Sequence, residues 1–237
     1  MIIKETKDKL KMYFKNILTY AFMILIFLTY TFKSIQALNK ADTFVLDNIY
    51  GTALILNIYI IAIPFITYLN IYILKELFEK NREKLETVKP SKIARIDILS
   101  DTFVVSLISL IPFICIYIFN YFTVKLNFSF KHLIYTYLLI LIYSFLNSCI
   151  LNIVKNMKKI KFKKEFFLVL SIICIFAFTN IYLLLKGSIF NFEFNMMYIK
   201  FLENLKSVQD ILILVFSLSL IYALSVKYIS RRISNED

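Results

Sequence analysis

Glycine is almost missing from this chain: only Gly51 and Gly187 occur in 237 residues. A phosphate-cradling loop of the form GxxxxGK[ST] needs two glycines close together, so the chain cannot build one to bind and hydrolyse ATP by itself. Histidine is rarer still, with one residue, His132. That excludes an HExxH zinc site and any histidine pair for metal or proton chemistry. A Ser–His intramembrane protease would need a serine at matching depth, and His132, at the boundary of an apolar run, reads more simply as interfacial. The three cysteines, Cys115, Cys149 and Cys174, sit inside apolar runs without a CxxC partner. They read as small buried hydrophobes with no disulfide between them. Charge is also sparse, at 19% of residues, against about 25% in soluble domains.

Apolar residues fill the gap, at 59% with a mean hydropathy of +0.72. No soluble core of this length needs so much Ile, Leu, Phe and Tyr, so the solvent for most of the chain is lipid. Six runs approach the ~20 residues that cross a bilayer: 16–32, 50–74, 102–122, 133–154, 166–185 and 211–227. The first follows a basic leader, as in a signal peptide. Phe32, Lys33, Ser34 and Ile35 after it offer no small-residue cleavage site, so this run is expected to remain as a helix. The expected fold is an all-α membrane protein, a single domain over 1–237.

The net charge of +12 does not indicate nucleic acid, because the cations lie between apolar runs and form no basic face on a folded domain. They set topology instead. With the N-terminus in the cytoplasm, the inside connections hold 21 of the 28 Lys and Arg residues and the outside connections 7. Both termini are therefore expected inside, with the lysine-rich 155–165 loop as a strong inner anchor. Residues 1–16 place Ile3, Leu10, Tyr13, Phe14 and Ile17 near one helical face and Lys4, Lys7, Lys11 and Lys15 largely elsewhere, the pattern of an amphipathic helix on the inner leaflet. The aromatic-rich 187–210 stretch is too apolar for a free loop and is expected in the outer interface or dipping into the membrane.

The middles of the six runs carry no Asp, Glu, Lys or Arg, which removes the usual coupling site of an ion-driven transporter. Their polarity is uncharged: Asn57, Thr67, Asn70, Asn147, Ser148, Thr179 and Asn180. Such groups pair between helices or line a path. Pro64 and Pro112 are expected to kink the second and third spans.

One stretch reads as soluble protein, FEKNREKLETVKPSKIARIDILSD at 78–101. Leu74, Leu77, Phe78, Leu85 and Val88 follow steps near three and four, while Glu76–Lys80 and Arg82–Glu86 are opposite charges four apart. Pro90 is expected to end this helix and Ser91 to cap a second short one leading into the third span. The element is either a solvated hairpin extending two spans or a docking surface for a cytosolic partner.

This order of parts resembles an ABC-2 type permease, the membrane subunit of an ABC exporter. The shared parts are a basic interfacial leader, six spans with both ends inside and a helical loop between spans two and three. The loop motif is matched by Arg82, Glu83, Leu85, Glu86, Val88, Pro90, Ser91 and Lys92. The resemblance implies that these residues form a coupling helix seated on an ATPase subunit. Asp101 stands where the family tends to have a basic residue, the usual loop glycine is absent, and the segment before Pro90 is short. The resemblance further implies short re-entrant helices between spans five and six. It also implies two permease copies, identical or paralogous, and two cytosolic ATPase subunits that hold ATP and Mg; no cofactor is expected on this chain. Spans two and five would line the path, with Asn57, Thr67 and Asn180 as candidates. The expected activity is export of an amphipathic peptide or other hydrophobic compound across a bacterial plasma membrane. A non-transporting immunity or accessory protein is the alternative, and catalysis by the chain itself is not expected.

Single cysteines replacing Glu86 and Ile160 in a cysteine-free background are expected to react with an impermeant thiol reagent only from the cytoplasmic side. One replacing Phe128 should react only from outside. External labelling at 160 would overturn the topology.

Overall fold

The structure is a computed structural model that describes residues 2–39, 88–124, 130–156 and 208–234, with residues 55, 58, 59, 62–64 and 66. Its elements are α1 (Ile2–Lys15), α2 (Ile17–Asn39), α3 (Pro90–Phe119), a π-helical turn (Asn120–Val124), α4 (Phe130–Lys155) and α5 (Val208–Ser234). Among the described residues there is no strand. By length and composition three helices can cross a membrane, within Pro90–Phe122, Thr136–Ile153 and Ile211–Ser234, and the bent pair Ile2–Lys15 and Ile17–Phe32 makes a fourth candidate if it counts as one span. They coincide with the third, fourth, sixth and first apolar runs. Of the second run only scattered residues are described, and the fifth, at 166–185, lies outside the described residues, as does the 187–210 aromatic stretch up to residue 207.

α1 and α2 meet at 80°. The break is local chemistry. Asn16 caps α2, its Oδ1 accepting the Leu18 N–H at 2.9 Å and its carbonyl the Thr19 N–H at 3.1 Å, so two of α2's first amides are satisfied. The Tyr20 hydroxyl reaches back to the Phe14 carbonyl at 2.8 Å, bridging the corner. α1 is three-sided. Lys9 and Tyr13 face inward and are buried, Ile3 and Phe14 are exposed, and Lys4, Lys7, Lys11 and Lys15 point to solvent. The expected apolar face is thus split. Leu10 and Tyr13 pack on the bundle, whereas Ile3 and Ile17 stay 84% and 79% exposed, available to lipid.

α3 is the hub, packing against α1, α2, α4 and α5. Pro90 opens it, since a first-turn residue needs no N–H partner. Lys89 is the cap, its carbonyl accepting from Lys92 at 2.8 Å and Ile93 at 3.2 Å. This corrects one expectation: Ser91 lies within the first turn and is no cap. The helix after Pro90 leads into the third span as expected, but it is not a separate short element, since one helix runs from Pro90 to Phe119. It survives Pro112, which cannot donate to the Ile108 carbonyl. Tyrosines from two other segments bond to neighbouring carbonyls on α3: the Tyr59 hydroxyl donates to Ser109 at 2.6 Å and Tyr137 to Ser106 at 3.3 Å.

The buried core runs along α3. Met23, Ile26 and Tyr30 of α2 and Tyr59, Ile63 and Ile66 meet Val104, Ile108 and Ile116, with Leu139, Ile140 and Tyr143 of α4 on the other side. A smaller cluster joins Ala94 and Ile98 to Cys149, Val226 and Ile229. It sets the start of α3 beside the ends of α4 and α5. Tyr13 donates to the Ile66 carbonyl at 3.2 Å, and Asn120 to the Tyr30 hydroxyl at 2.6 Å. These contacts make α2 and α3 parallel. α4 runs the other way, with Tyr137 at Ser106 and Asn152 at Asp101, and Tyr59 and Ile66 are ordered likewise, at Ser109 and at Tyr13. One end of the bundle, called here the α1 end, gathers α1, the start of α3 and the ends of α4 and α5. Cys149 is buried as expected, but Cys115 is exposed on the α3 face that also shows Ile111, Ile114 and Ile118; Cys174 lies outside the described residues.

Replacing Asn16 with Ala is expected to cost about 1 kcal/mol, read as a lower melting temperature in detergent, with Asn16→Asp restoring it. A variant as stable as wild type would show that the Asn16 side chain does not hold the corner.

Candidate functional site

Charges are scarce in this fold, so a buried one matters more than any surface cluster. Lys9 is 2% exposed and Asp101 0%, and the Lys9 Nζ stands 2.7 Å from Asp101 Oδ1. Three helices build the site. α1 brings Lys9 one turn before Tyr13; α3 brings Ser100 and Asp101 three turns after Pro90; α4 brings Asn152 from its last turns.

The hydrogen bonds fit the inventory of each group. Lys9 Nζ has three protons; it donates to Asp101 Oδ1 and, at 2.6 Å, to Ser100 Oγ, with Glu5 a looser partner at 3.9 Å. Ser100 spends its own proton on the Asp97 carbonyl at 3.1 Å, leaving lone pairs for Lys9. Asn152 Nδ2 donates to Asp101 Oδ2 at 2.9 Å and to the Ser148 carbonyl at 2.9 Å. One turn on, Asn156 donates to the Asn152 carbonyl at 2.7 Å. Asp101 thus receives a proton donor from a different helix at each oxygen.

Burial by itself would lower the Lys9 pKa, but the Asp101 carboxylate, and then Asp97, more than offset it, so Lys9 titrates above its ordinary value. The neighbouring Tyr13 hydroxyl is pushed well up by burial and by Asp101. This bears on chemistry. Ser100 and Lys9 are close enough for a Ser–Lys dyad, but a general base must be neutral near working pH. Lys9 is held as an ammonium and Ser100 is sealed, so the arrangement is a clamp and not a nucleophile.

The residues anticipated from sequence lie elsewhere or outside the described residues. Pro90, partly buried, and Ser91 and Lys92, exposed, form the first turn of α3, and half-buried Val88 precedes it. Pro90, Ser91 and Lys92 stand about 14–16 Å from Asp101 along the same helix, at 1.5 Å per residue. Arg82, Glu83, Leu85, Glu86, Asn57, Thr67 and Asn180 all fall outside the described residues. Asn147 does bridge helices, donating to the Ile63 carbonyl at 3.4 Å, while Ser144 and Ser148 bond one turn back on their own helix. Among the described residues no group of three His, Cys, Asp or Glu could hold a metal ion.

Lys9, Ser100 and Asn152 were not picked out from sequence, and Asp101 was noted only as a departure from the permease motif. The available signal was weak: Lys9 is the one lysine of the leader in register with Tyr13, and Asp97 and Asp101 repeat at four residues just before an apolar run. Compared with protein-family models, curated proteins and solved structures, the chain matches none.

Removing one partner of a buried pair leaves an uncompensated charge, at a cost of about 3–5 kcal/mol. Asp101→Asn is therefore expected to destabilise the detergent-solubilised chain sharply. Lys9→Met combined with Asp101→Leu should recover most of the loss. If the double variant fares no better than the single ones, the two residues are not acting as a pair.

Proposed function

We propose that this chain is the permease subunit of an ATP-driven ABC exporter, set in a bacterial plasma membrane with six spans and both termini in the cytoplasm. Its cargo is an amphipathic peptide or another hydrophobic compound. The chain holds no nucleotide itself; ATP and Mg belong to two cytosolic ATPase subunits, and a second permease copy, identical or paralogous, completes the path. Support comes from the ABC-2-like order of parts and from the split of basic residues, 21 to 7.

The observation that carries the reading is the continuity of α3. A single helix begins at Pro90, beside the proposed docking residues, and continues through Asp101 to Phe119. A helix is stiff along its axis, so a push at its tip moves the whole rod and does not dissipate in a loop. The rod is joined to α1 through Lys9 and to α4 through Asn152, so these three elements move together. In this mechanism the ATPase displaces the 82–92 element, and the α1 end tilts as one block to alternate access between the two sides. Leu85 and Val88 act as apolar anchors, with Arg82, Glu83, Glu86 and Lys92 setting register, as interface energy concentrates in a few anchors.

Purification of the tagged chain from its own cells in mild detergent is expected to bring an ATPase subunit in stoichiometric amount. Leu85→Ser with Val88→Ser should lose that subunit while the chain still inserts and folds. A chain that purifies alone and stable would overturn the permease reading and leave the accessory one. Full ATPase retention by the double variant would remove the docking assignment.

A further inference from the structure

Among the described residues a groove of about 570 Å³ opens between α4 and α5 near the α1 end. Its walls are apolar along one length, with Ile153 from α4 and Ile221 and Leu224 from α5. At the other end stand Lys227 and Arg231, with Tyr228 between them. Both cations are exposed, and they sit four residues apart on one helix face, where like charges repel. Neither forms an ion pair with a described residue. The next residue, Arg232, lies over the Tyr228 ring at 5.5 Å.

We propose that this groove holds one anionic phospholipid from the leaflet on the α1 side. Its phosphate lies between Lys227 and Arg231, and one acyl chain runs along Leu224, Ile221 and Ile153. The inference rests only on the chain lying in a bilayer and is independent of the permease reading.

Three features select this occupant. The first is charge: an anion between Lys227 and Arg231 relieves their repulsion, and a guanidinium takes phosphate oxygens in two parallel bonds. The second is length. From Arg231 to Ile221 a helix rises about 15 Å, which is half of the ~30 Å hydrocarbon core and so the depth of one leaflet. The third is level, because a tyrosine with cations beside it is the composition of the headgroup boundary. A second copy of the chain fits poorly. A two-fold contact centred on the groove would set Lys227 and Arg231 against their own copies.

The test is native mass spectrometry of the full chain, with whatever subunits accompany it, in mild detergent titrated with phosphatidylglycerol, phosphatidylcholine or inorganic phosphate. One phosphatidylglycerol per chain is expected to be retained in preference to phosphatidylcholine. Lys227→Gln with Arg231→Gln should weaken retention roughly thirtyfold, taking about 1 kcal/mol per cation at the surface. Both side chains are exposed, so the fold is not at risk. Leu224→Trp, which fills the apolar wall and leaves both cations, should also weaken it. Equal retention of the two lipids, retention by the Gln pair, or displacement by inorganic phosphate would each overturn the proposal. So would disulfide cross-linking of two copies through Leu224→Cys in membranes.

Discussion

At the α1 end, α1, α3 and α4 are tied together by one buried ion pair and its hydrogen bonds. Two charges removed from water are stable only if each is matched by a partner and by hydrogen bonds that use the remaining protons and lone pairs. Lys9 and Asp101 meet that condition through Ser100 and Asn152, which is why three separate helices converge at this level. Apolar packing against lipid tails gives little reason for helices to associate, because the tails are as apolar as Leu. Directional polar contacts supply that reason here, and being buried they are only weakly screened by salt.

The same logic holds further along α3. Tyrosine hydroxyls from two other segments find carbonyls of α3, and Asn120 finds the Tyr30 hydroxyl at the far end. Each such bond fixes where a neighbour sits along the helix, while Val104, Ile108 and Ile116 supply bulk without direction. The outward faces carry Phe103, Leu107, Ile111 and Ile114 on α3, and Leu212, Phe216 and Leu220 on α5. Apolar contact suffices there, whether the neighbour is lipid or another chain.

Much of the fold could be read from the residues, since hydropathy period and helix-end chemistry are local. The apolar runs beginning near 102, 133 and 211 are helices, and Asn16 marks the start of the first because its side chain caps it. Local reading failed at Ser91, expected to cap the helix after Pro90. The fixed φ and missing N–H of Pro90 suit a helix's first position, so the helix starts one residue earlier and Lys89 takes the cap. The clamp was illegible for a different reason. Lys9 counted as one more topogenic cation and Asp101 only as a departure from the permease motif, because their 92-residue separation in sequence conceals their contact. Cys115 followed an apolar pattern that says a residue avoids water but not whether it meets protein or lipid.

The corner at Asn16 bears on how the chain is made. α1 turns off from α2 at 80°, and its Lys9 precedes the carboxylate it pairs with by 92 residues. Lys9 then keeps its hydration through the synthesis of some ninety further residues, until α3 brings Asp101 into reach. The pair closes only after distant parts of the chain are already inserted. A chain fragment that ends before α3 therefore carries this lysine without its partner.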